Sequence, residues 1–252
     1  MERYFEINQA GFNIRCKLYC RDHRNLKDLV IFCHGFGGHK DNTAAARFAD
    51  RLLTKHKRAG LITFDLPCHG SDVRKKLTLP DCLEYLDLVV CHARDSFRPE
   101  GLYACATSFG GYLVLNYLAS RGNPFRRIAL RCPAVDMHAV LTRTVITSGE
   151  LERLLRGKDT AVGFDRKVPV SSLFLDQLRQ DDIRKVDFLD FAEDILILHG
   201  TADEVVPFEP VRDFCEEQLI EFLPIEGADH RFRDPRLMDA AIKAILDFYS
   251  LS

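Results

Sequence analysis

The chain has 252 residues, of which 46% are hydrophobic and 29% are charged, as in an ordinary folded protein with one large core. Its formal net charge of −2 and the lack of a basic run argue against nucleic acid as a partner. No apolar run approaches the length of a membrane span and the N-terminal residues do not resemble a signal peptide, so we expect no membrane-spanning segment.

The nine cysteines are odd in number, and most of them lie in apolar runs without a C-x-x-C pair. This usage is typical of small buried side chains in a reducing compartment, rather than of disulfides or a zinc site. We therefore expect free thiols, a cytoplasmic location and no metal.

The first half of the chain alternates strand and helix patterns. Residues 3–7 and 12–20 alternate apolar and polar side chains, which predicts a hairpin of half-buried strands. Continuous apolar runs predict buried strands, and apolar residues at helical spacing predict helices. These patterns place strands at residues 28–34, 61–64 and 102–106 and helices at residues 43–57 and 81–97.

The second half continues the same alternation. Strands are predicted at residues 127–132, 195–199 and 219–224, and helices at residues 208–217 and 235–250. Such an order predicts a mostly parallel sheet with helices on both faces. The order is interrupted from residue 136 to about residue 190, where a small hairpin at residues 163–171 is one possibility. Because this stretch lies between two strands, we predict that it forms a cap over the carboxyl edge of the sheet.

Ser108 lies between a predicted strand and a helical pattern, within Thr107-Ser108-Phe109-Gly110-Gly111. A serine at a sharp strand-to-helix turn has its hydroxyl pushed out of the sheet, as in a nucleophile elbow. Ala106 occupies the first glycine position of the usual G-x-S-x-G pattern. The alternative is that Ser108 only caps the helix that follows.

A serine nucleophile needs a base, and the base needs an acid that orients it. Asp203 and His230 each follow a later strand, at the sheet edge where Ser108 is expected. The chain order Ser108, Asp203, His230 is the order in which nucleophile, acid and base follow a nucleophile elbow. Asp203 is alternatively a plain turn residue, and His230 a loop histidine without a role. Glu204 and Asp229 are rival acids.

An acyl-transfer site also needs donors for the developing oxyanion. The backbone N–H of Phe109 directly follows the nucleophile, and the turn His34-Gly-Phe-Gly-Gly38 offers the N–H of Phe36. The alternative for this turn is a tight connection without a catalytic role. We expect His34 and His69 to brace their loops rather than transfer protons.

These motifs together resemble the α/β-hydrolase superfamily over nearly the whole chain. The motifs are the His34–Gly38 turn, the Asp65–Ser71 turn, the Ser108 elbow, the His199–Pro207 loop and the Asp229-His230 loop. Within the superfamily the chain is similar to small carboxylesterases, including cinnamoyl (feruloyl) esterases, and to the serine aminopeptidase–monoacylglycerol lipase-like group. Cys68 departs from the pattern, because a glycine is often found at its position.

The resemblance implies an α/β-hydrolase fold with a mostly parallel eight-stranded sheet and helices on both faces. Residues 1–135 and 191–252 would form the core, and residues 136–190 a small lid after the sixth strand that shapes the acyl pocket. Hydroxycinnamate-specific relatives place a lid tyrosine against the phenol, and the matching stretch here offers Phe174. Phe174 would then make aromatic or alkyl contact with the substrate without a hydrogen bond to a phenol. Phe174 and His34 are the candidate substrate-binding residues.

The sequence thus predicts a serine esterase that cleaves small to medium carboxylic esters, aryl and hydroxycinnamoyl esters among the candidates. We expect a small-molecule ester as its substrate and a monomer or homodimer as its oligomeric state. We expect the reaction to need no cofactor. The alternatives are an amide, thioester or monoacylglycerol hydrolase on the same triad and, last, a non-catalytic binding protein on this fold.

Overall fold

The computed structural model describes residues 1–251, which are built around one eight-stranded sheet. The strands are β1 (Glu2–Gln9), β2 (Phe12–Cys20), β3 (Asp28–Cys33), β4 (Ala59–Phe64), β5 (Gly101–Thr107), β6 (Arg127–Arg131), β7 (Thr160–Val162), β8 (Val168–Val170), β9 (Ile195–Gly200) and β10 (Glu221–Ile225). The sheet order is β1-β2-β4-β3-β5-β6-β9-β10. The pairs β1–β2 and β2–β4 are antiparallel and all later pairs are parallel, so the predicted fold class is confirmed.

Helices cover both faces of the sheet. They are α1 (Thr43–Lys55), α2 (Leu79–His92), α3 (Phe109–Arg121), α4 (Met137–Val140), α5 (Ser148–Leu155), α6 (Ser172–Gln180), α7 (Phe208–Gln218) and α8 (Pro235–Tyr249). Apolar side chains of α1 and α8 pack on one face, and those of α2, α3 and α7 pack on the other. The helix predicted at residues 81–97 ends earlier than expected, because a single π-helical turn, Ala93–Phe97, follows α2. No helix among residues 1–251 is both long enough and apolar enough to cross a membrane.

The thiols are distributed over both layers of the core. All nine cysteines are free, as predicted, and seven of them are buried. Cys16, Cys33 and Cys82 lie in the layer beneath α2 and α3, whereas Cys105 and Cys132 lie in the layer beneath α1 and α8. Burial raises the pKa of the Cys105 thiol to about 12, so this thiol stays protonated at neutral pH.

Residues 136–190, called the insertion below, connect β6 to β9 and contain α4, α5, the β7–β8 hairpin and α6. The hairpin pairs Thr160 with Val170 and Val162 with Val168, so the segment predicted at residues 163–171 forms its turn and second strand. Many apolar side chains of the insertion are buried in the main core, among them Val140, Leu141, Val145 and Leu154. Leu155 is instead exposed to solvent. The division into a core and a lid at residues 136 and 190 stays a prediction.

Gly110 lets the first turn of α3 approach the end of β3. A Cβ at Gly110 would lie 2.6 Å from the carbonyl oxygen of His34 and still closer to that of Cys33. We expect Gly110→Ala to force α3 away from β3 and to destabilise the protein by about 1–3 kcal/mol, the usual cost of overpacking. Urea unfolding measures this loss.

Gly149→Ala is the matched control, because a Cβ at Gly149 meets nothing within 4 Å. This control should change the free energy of unfolding by no more than about 0.5 kcal/mol. An unfolding midpoint for Gly110→Ala equal to that of the wild type would show that the close approach of α3 is not required.

Candidate active site

The predicted site residues meet at the carboxyl edge of the parallel strands. In the order of the sheet, the residues that follow β3, β5, β6, β9 and β10 there are Phe36, Ser108, Cys132, Asp203 and His230. The register of β3 on β5 pairs Cys33 with Ala106, which places the His34–Gly38 turn beside the Ser108 elbow. Ligand sites of open parallel sheets form at this edge.

Ser108 occupies a strained turn between β5 and α3. Its φ of 52° and ψ of −117° lie outside the backbone regions that residues other than glycine favour. The Ser108 N–H donates to the carbonyl oxygen of Arg131 at 3.0 Å, which ties the elbow to β6. The Ser108 side chain makes no capping hydrogen bond to α3, so the capping alternative does not explain this serine. The geometry is that of a nucleophile elbow.

Asp203 and His230 are joined by a direct hydrogen bond. Asp203 Oδ2 lies 2.8 Å from His230 Nδ1, and Asp203 Oδ1 accepts the N–H groups of Val205 and Val206 at 2.9 and 2.8 Å. Asp203 is therefore a turn residue and the partner of the histidine at the same time. Within residues 1–251 the Ser108 hydroxyl makes no hydrogen bond to His230.

The two rival acids make other contacts. Glu204 Oε2 accepts the backbone N–H of His230 at 3.1 Å, and Asp229 Oδ2 pairs with Arg233 at 2.5 Å. Glu204 therefore orients the backbone of the loop, whereas only Asp203 contacts the imidazole among these three acids.

Hydrogen bonds keep Asp203 ionised despite its burial. Burial alone would raise the pKa of this carboxyl, but hydrogen bonds from His199, His230 and the backbone of Val206 outweigh burial and hold the pKa well below its usual range. The His199 ring is fully buried, with Nε2 3.0 Å from the carbonyl oxygen of Val206 and 3.3 Å from Asp203 Oδ2. Sequence reasoning assigned no role to His199, although its position four residues before Asp203 was the available signal.

Cys132 lies beside the same pair. Its Sγ, one carboxylate oxygen of Asp203 and one ring nitrogen of His230 lie within 4.8 Å of one another. The Asp203 carboxylate and the His230 ring are already hydrogen-bonded to each other at 2.8 Å, so the trio is explained as this pair with the Cys132 thiol packed against it. Burial raises the pKa of that thiol well above its usual value. Sequence reasoning also missed this contact; the signal was the position of Cys132 directly after the strand beside the elbow.

His34 braces two loops from a buried position. Its Nε2 accepts the Leu66 N–H at 3.2 Å and its Nδ1 lies 2.8 Å from the Gly35 carbonyl oxygen. These contacts support the bracing role and leave no free ring nitrogen for a substrate. His69 is buried as well, with Nδ1 2.8 Å from the carbonyl oxygen of Pro67.

The side chains of the two oxyanion-hole candidates pack against each other. The rings of Phe36 and Phe109 are 6.0 Å apart in an edge-to-face arrangement, and neither backbone N–H donates a hydrogen bond within residues 1–251. Phe174, from α6, packs edge-to-face on Phe109 at 6.1 Å and is fully buried. In this arrangement Phe174 supports Phe109, and its predicted contact with substrate stays a prediction.

Two buried neutral histidines predict a steep loss of stability in acid. Burial lowers the pKa of His34 to about 3 and that of His69 to about 4. Below the ordinary histidine pKa near 6.5 the unfolded chain therefore binds more protons than the folded one, so stability falls as pH falls. We expect the free energy of unfolding to fall by about 2 kcal/mol per unit between about pH 6 and pH 4.

Urea unfolding at several pH values measures this slope. His69→Gln removes one of the two groups and should reduce the slope by about 1 kcal/mol per pH unit relative to the wild type. A slope that is the same in both proteins would mean that His69 is protonated in the folded state.

A groove of about 950 Å³ lies at the opposite edge of the sheet, where the parallel strands begin. Arg127, Asp194 and Phe248 are among its lining residues. The Asp203–His230 pair and the strained Ser108 lie at the other edge, so this groove does not contain the predicted site residues.

The fold and the residues at this edge define an α/β hydrolase. The family described as "Alpha/beta hydrolase family" matches residues 30–242, and the chain belongs to this family. Membership supports a hydrolytic activity. The comparison with curated proteins gave no match.

Solved structures of hydrolases are similar over the whole chain. Est1E from Butyrivibrio proteoclasticus with bound ferulic acid has a TM-score of 0.76 at 20% identity, covering 98% of this chain and 100% of that one. A putative hydrolase from Agrobacterium vitis S4 has a TM-score of 0.76 at 19% identity, with 99% of each chain covered. The monoacylglycerol lipase of Paleococcus ferrophilus has a TM-score of 0.64 at 19% identity, covering 94% of this chain and 98% of that one. At these identities the similarity shows the fold.

Proposed function

We propose that the chain is a serine hydrolase of small to medium carboxylic esters, with Ser108 as nucleophile, His230 as general base and Asp203 as the acid that orients it. One observation carries this proposal: Asp203 Oδ2 lies 2.8 Å from His230 Nδ1 at the sheet edge that holds the strained Ser108 elbow. A histidine oriented by a buried carboxylate is what a serine needs to become nucleophilic.

In the proposed reaction Ser108 Oγ attacks the ester carbonyl carbon while His230 Nε2 takes its proton. Asp203 accepts the Nδ1–H, which keeps Nε2 free as a base and stabilises the imidazolium. The N–H groups of Phe36 and Phe109 bind the oxyanion. The tetrahedral intermediate collapses, His230 gives its proton to the leaving alcohol, and an acyl-enzyme remains. Water, deprotonated by His230, then attacks the acyl carbon. The bond to Ser108 Oγ breaks, the carboxylic acid is released, and His230 returns the proton to Ser108 Oγ.

The substrate class is proposed from the similar structures and from Phe174. Est1E was solved with ferulic acid, and another similar structure is a monoacylglycerol lipase. Esters of aromatic acids and monoacylglycerols are therefore both candidate substrates. Phe174 lacks the hydroxyl with which a lid tyrosine would bind a phenol, which favours alkyl or plain aryl acyl groups over hydroxycinnamates. Amides and thioesters use the same machinery and form the alternative.

The test is a panel of p-nitrophenyl acetate, butyrate and octanoate with methyl ferulate, an aminoacyl anilide and an acyl thioester. We expect turnover of the p-nitrophenyl esters, weak turnover of methyl ferulate and covalent labelling of the Ser108 peptide by a fluorophosphonate. Hydrolysis of the anilide or thioester alone would move the assignment to those substrates. A folded protein that neither turns over nor becomes labelled would favour the non-catalytic alternative.

A further inference from the structure

The turn of the insertion's hairpin, residues 163–167, is called the insertion tip below, and it packs on the oxyanion-hole turn. The carbonyl oxygen of Arg166 lies 3.3 Å from the position that a Cβ of Gly37 would occupy. The ring of Phe36 lies 3.7 Å from the corresponding position at Gly163. One end of the insertion tip therefore rests on the turn that offers the Phe36 N–H.

The insertion tip also contacts the loop that carries the proposed base. Asp165 Oδ2 pairs with Arg231 Nη1 at 2.5 Å, and Arg231 directly follows His230. In the sheet order, the Phe36 turn and the His230 loop lie on opposite sides of Ser108. The insertion tip therefore bridges the turn and the loop that flank Ser108 at this edge of the sheet.

The Asp165–Arg231 pair is a weak contact. The Asp165–Arg231 pair is largely exposed, with 77% and 45% of the side chains accessible, so solvent screens it. The insertion tip is also held to α5, because its last residue, Lys167, pairs with Glu150 at 3.2 Å. Loss of the Asp165–Arg231 pair would therefore release the insertion tip from the His230 loop without detaching the hairpin.

We propose that the insertion tip selects substrates by size at the Ser108 site and that the Asp165–Arg231 pair is the latch that keeps it across the mouth. This inference rests on the proposed esterase function. A small acyl group reaches Ser108 with the latch closed, whereas a long acyl chain needs the insertion tip displaced. Because the pair is exposed, the latch shifts the closed–open equilibrium by only a few-fold.

The kinetic test compares p-nitrophenyl octanoate with p-nitrophenyl acetate. Asp165→Asn should raise the octanoate-to-acetate ratio of kcat/KM about two- to fivefold, while acetate turnover changes by less than about twofold. Asp159→Asn is the matched control, since it removes the same charge from an exposed residue of the insertion that forms no ion pair within residues 1–251. An unchanged ratio, or an equal rise for both esters, would overturn the size filter.

The latch itself is tested by exchanging its charges. The double variant Asp165→Arg with Arg231→Asp should restore the wild-type ratio, whereas each single reversal should raise it. High salt should raise the ratio in the wild type and leave Asp165→Asn unchanged, because salt screens only the intact pair. Failure of the double variant to restore the ratio, in a folded protein, would overturn the latch.

Gly163 provides a second perturbation of the insertion tip. Its φ is +131°, and a Cβ there would collide with the carbonyl oxygen of Arg166. Gly163→Ala should therefore distort the turn and raise the octanoate-to-acetate ratio more than Asp165→Asn does. Gly149→Ala, in the open part of the insertion, should leave the ratio unchanged.

A readout without turnover separates this proposal from the proposed function. The chain has no tryptophan, so Phe164→Trp, at an exposed position of the insertion tip, introduces a single reporter. Adding Asp165→Asn to this reporter should raise the rate constant of acrylamide quenching, and equal rate constants would overturn the latch. If the wild type shows no Ser108-dependent hydrolysis, the proposed function fails while the quenching result still decides whether the latch exists.

Discussion

Ser108→Ala is expected to lower the rate of ester hydrolysis by about 10⁶-fold, because every step of the proposed reaction begins or ends on its hydroxyl. The measurement is kcat for p-nitrophenyl butyrate with both proteins at the same pH. The variant should unfold at the wild-type urea concentration or above it. The reason is that the Ser108 side chain makes no capping hydrogen bond that alanine would lose.

Ser171 is the matched control for this serine, because its hydroxyl does cap a helix. The Ser171 Oγ accepts the N–H of Phe174 at 3.2 Å at the start of α6. Ser171→Ala should therefore cost about 1 kcal/mol of stability and keep most of the activity, the reverse of the result for Ser108. Activity that survives in Ser108→Ala would remove this residue from the mechanism.

The second large effect is expected for Asp203→Asn, which should lower kcat by about 10⁴-fold with little change in the fold. An amide at this position can donate to Nδ1 of His230, which places the ring proton on Nε2. The nitrogen that must accept the Ser108 proton would then already carry one. Steady-state kinetics at neutral pH measures the loss.

The two rival acids supply matched controls for Asp203. Glu204→Gln and Asp229→Asn remove the same charge near His230 but leave the Asp203–His230 hydrogen bond in place. Each should reduce kcat by less than about tenfold. A loss for Glu204→Gln as large as that for Asp203→Asn would show that the charge of the loop, rather than the orientation of the imidazole, supports turnover.

Much of the fold and the placement of the site could be predicted from local patterns. The apolar runs that become β3, β5 and β9 are continuous because both faces of these strands are covered by helices. Since the carboxyl ends of parallel strands share one edge, the residues after those strands were expected to meet. The Asp203–His230 contact agrees with that expectation, although its role in catalysis stays a proposal.

What local patterns could not predict are contacts between distant segments. The approach of Cys132 to Asp203 depends on how β6 and β9 lie side by side, whereas apolar periodicity indicates which residues are buried and not which residues are neighbours. The Asp165–Arg231 pair joins residues 66 positions apart, and nothing in either segment indicates the other. The boundaries of the insertion were likewise visible only as an interruption of the strand–helix order.

Cys68 adopts a backbone conformation that favours the glycine often found at this position. The sequence marks it as a cysteine where a glycine is often found, and the backbone there has a φ of 65°. This left-handed conformation costs a side-chain-bearing residue roughly 1–2 kcal/mol relative to glycine. The turn between Asp65 and Ser71 is held nonetheless, because the Asp65 carboxylate accepts N–H groups from Lys40 and Ser71.

Because the free thiols are divided between the two layers of the core, their chemical modification reports when each layer opens. Buried, protonated thiols do not react with alkylating reagents until the surrounding layer separates from the sheet. Mass-resolved alkylation would thus time two events separately: exposure of Cys33 and Cys82 when α2 and α3 lift, and of Cys105 when α1 and α8 do. The order of these modifications would show whether the layer beneath α2 and α3 opens independently of the layer beneath α1 and α8.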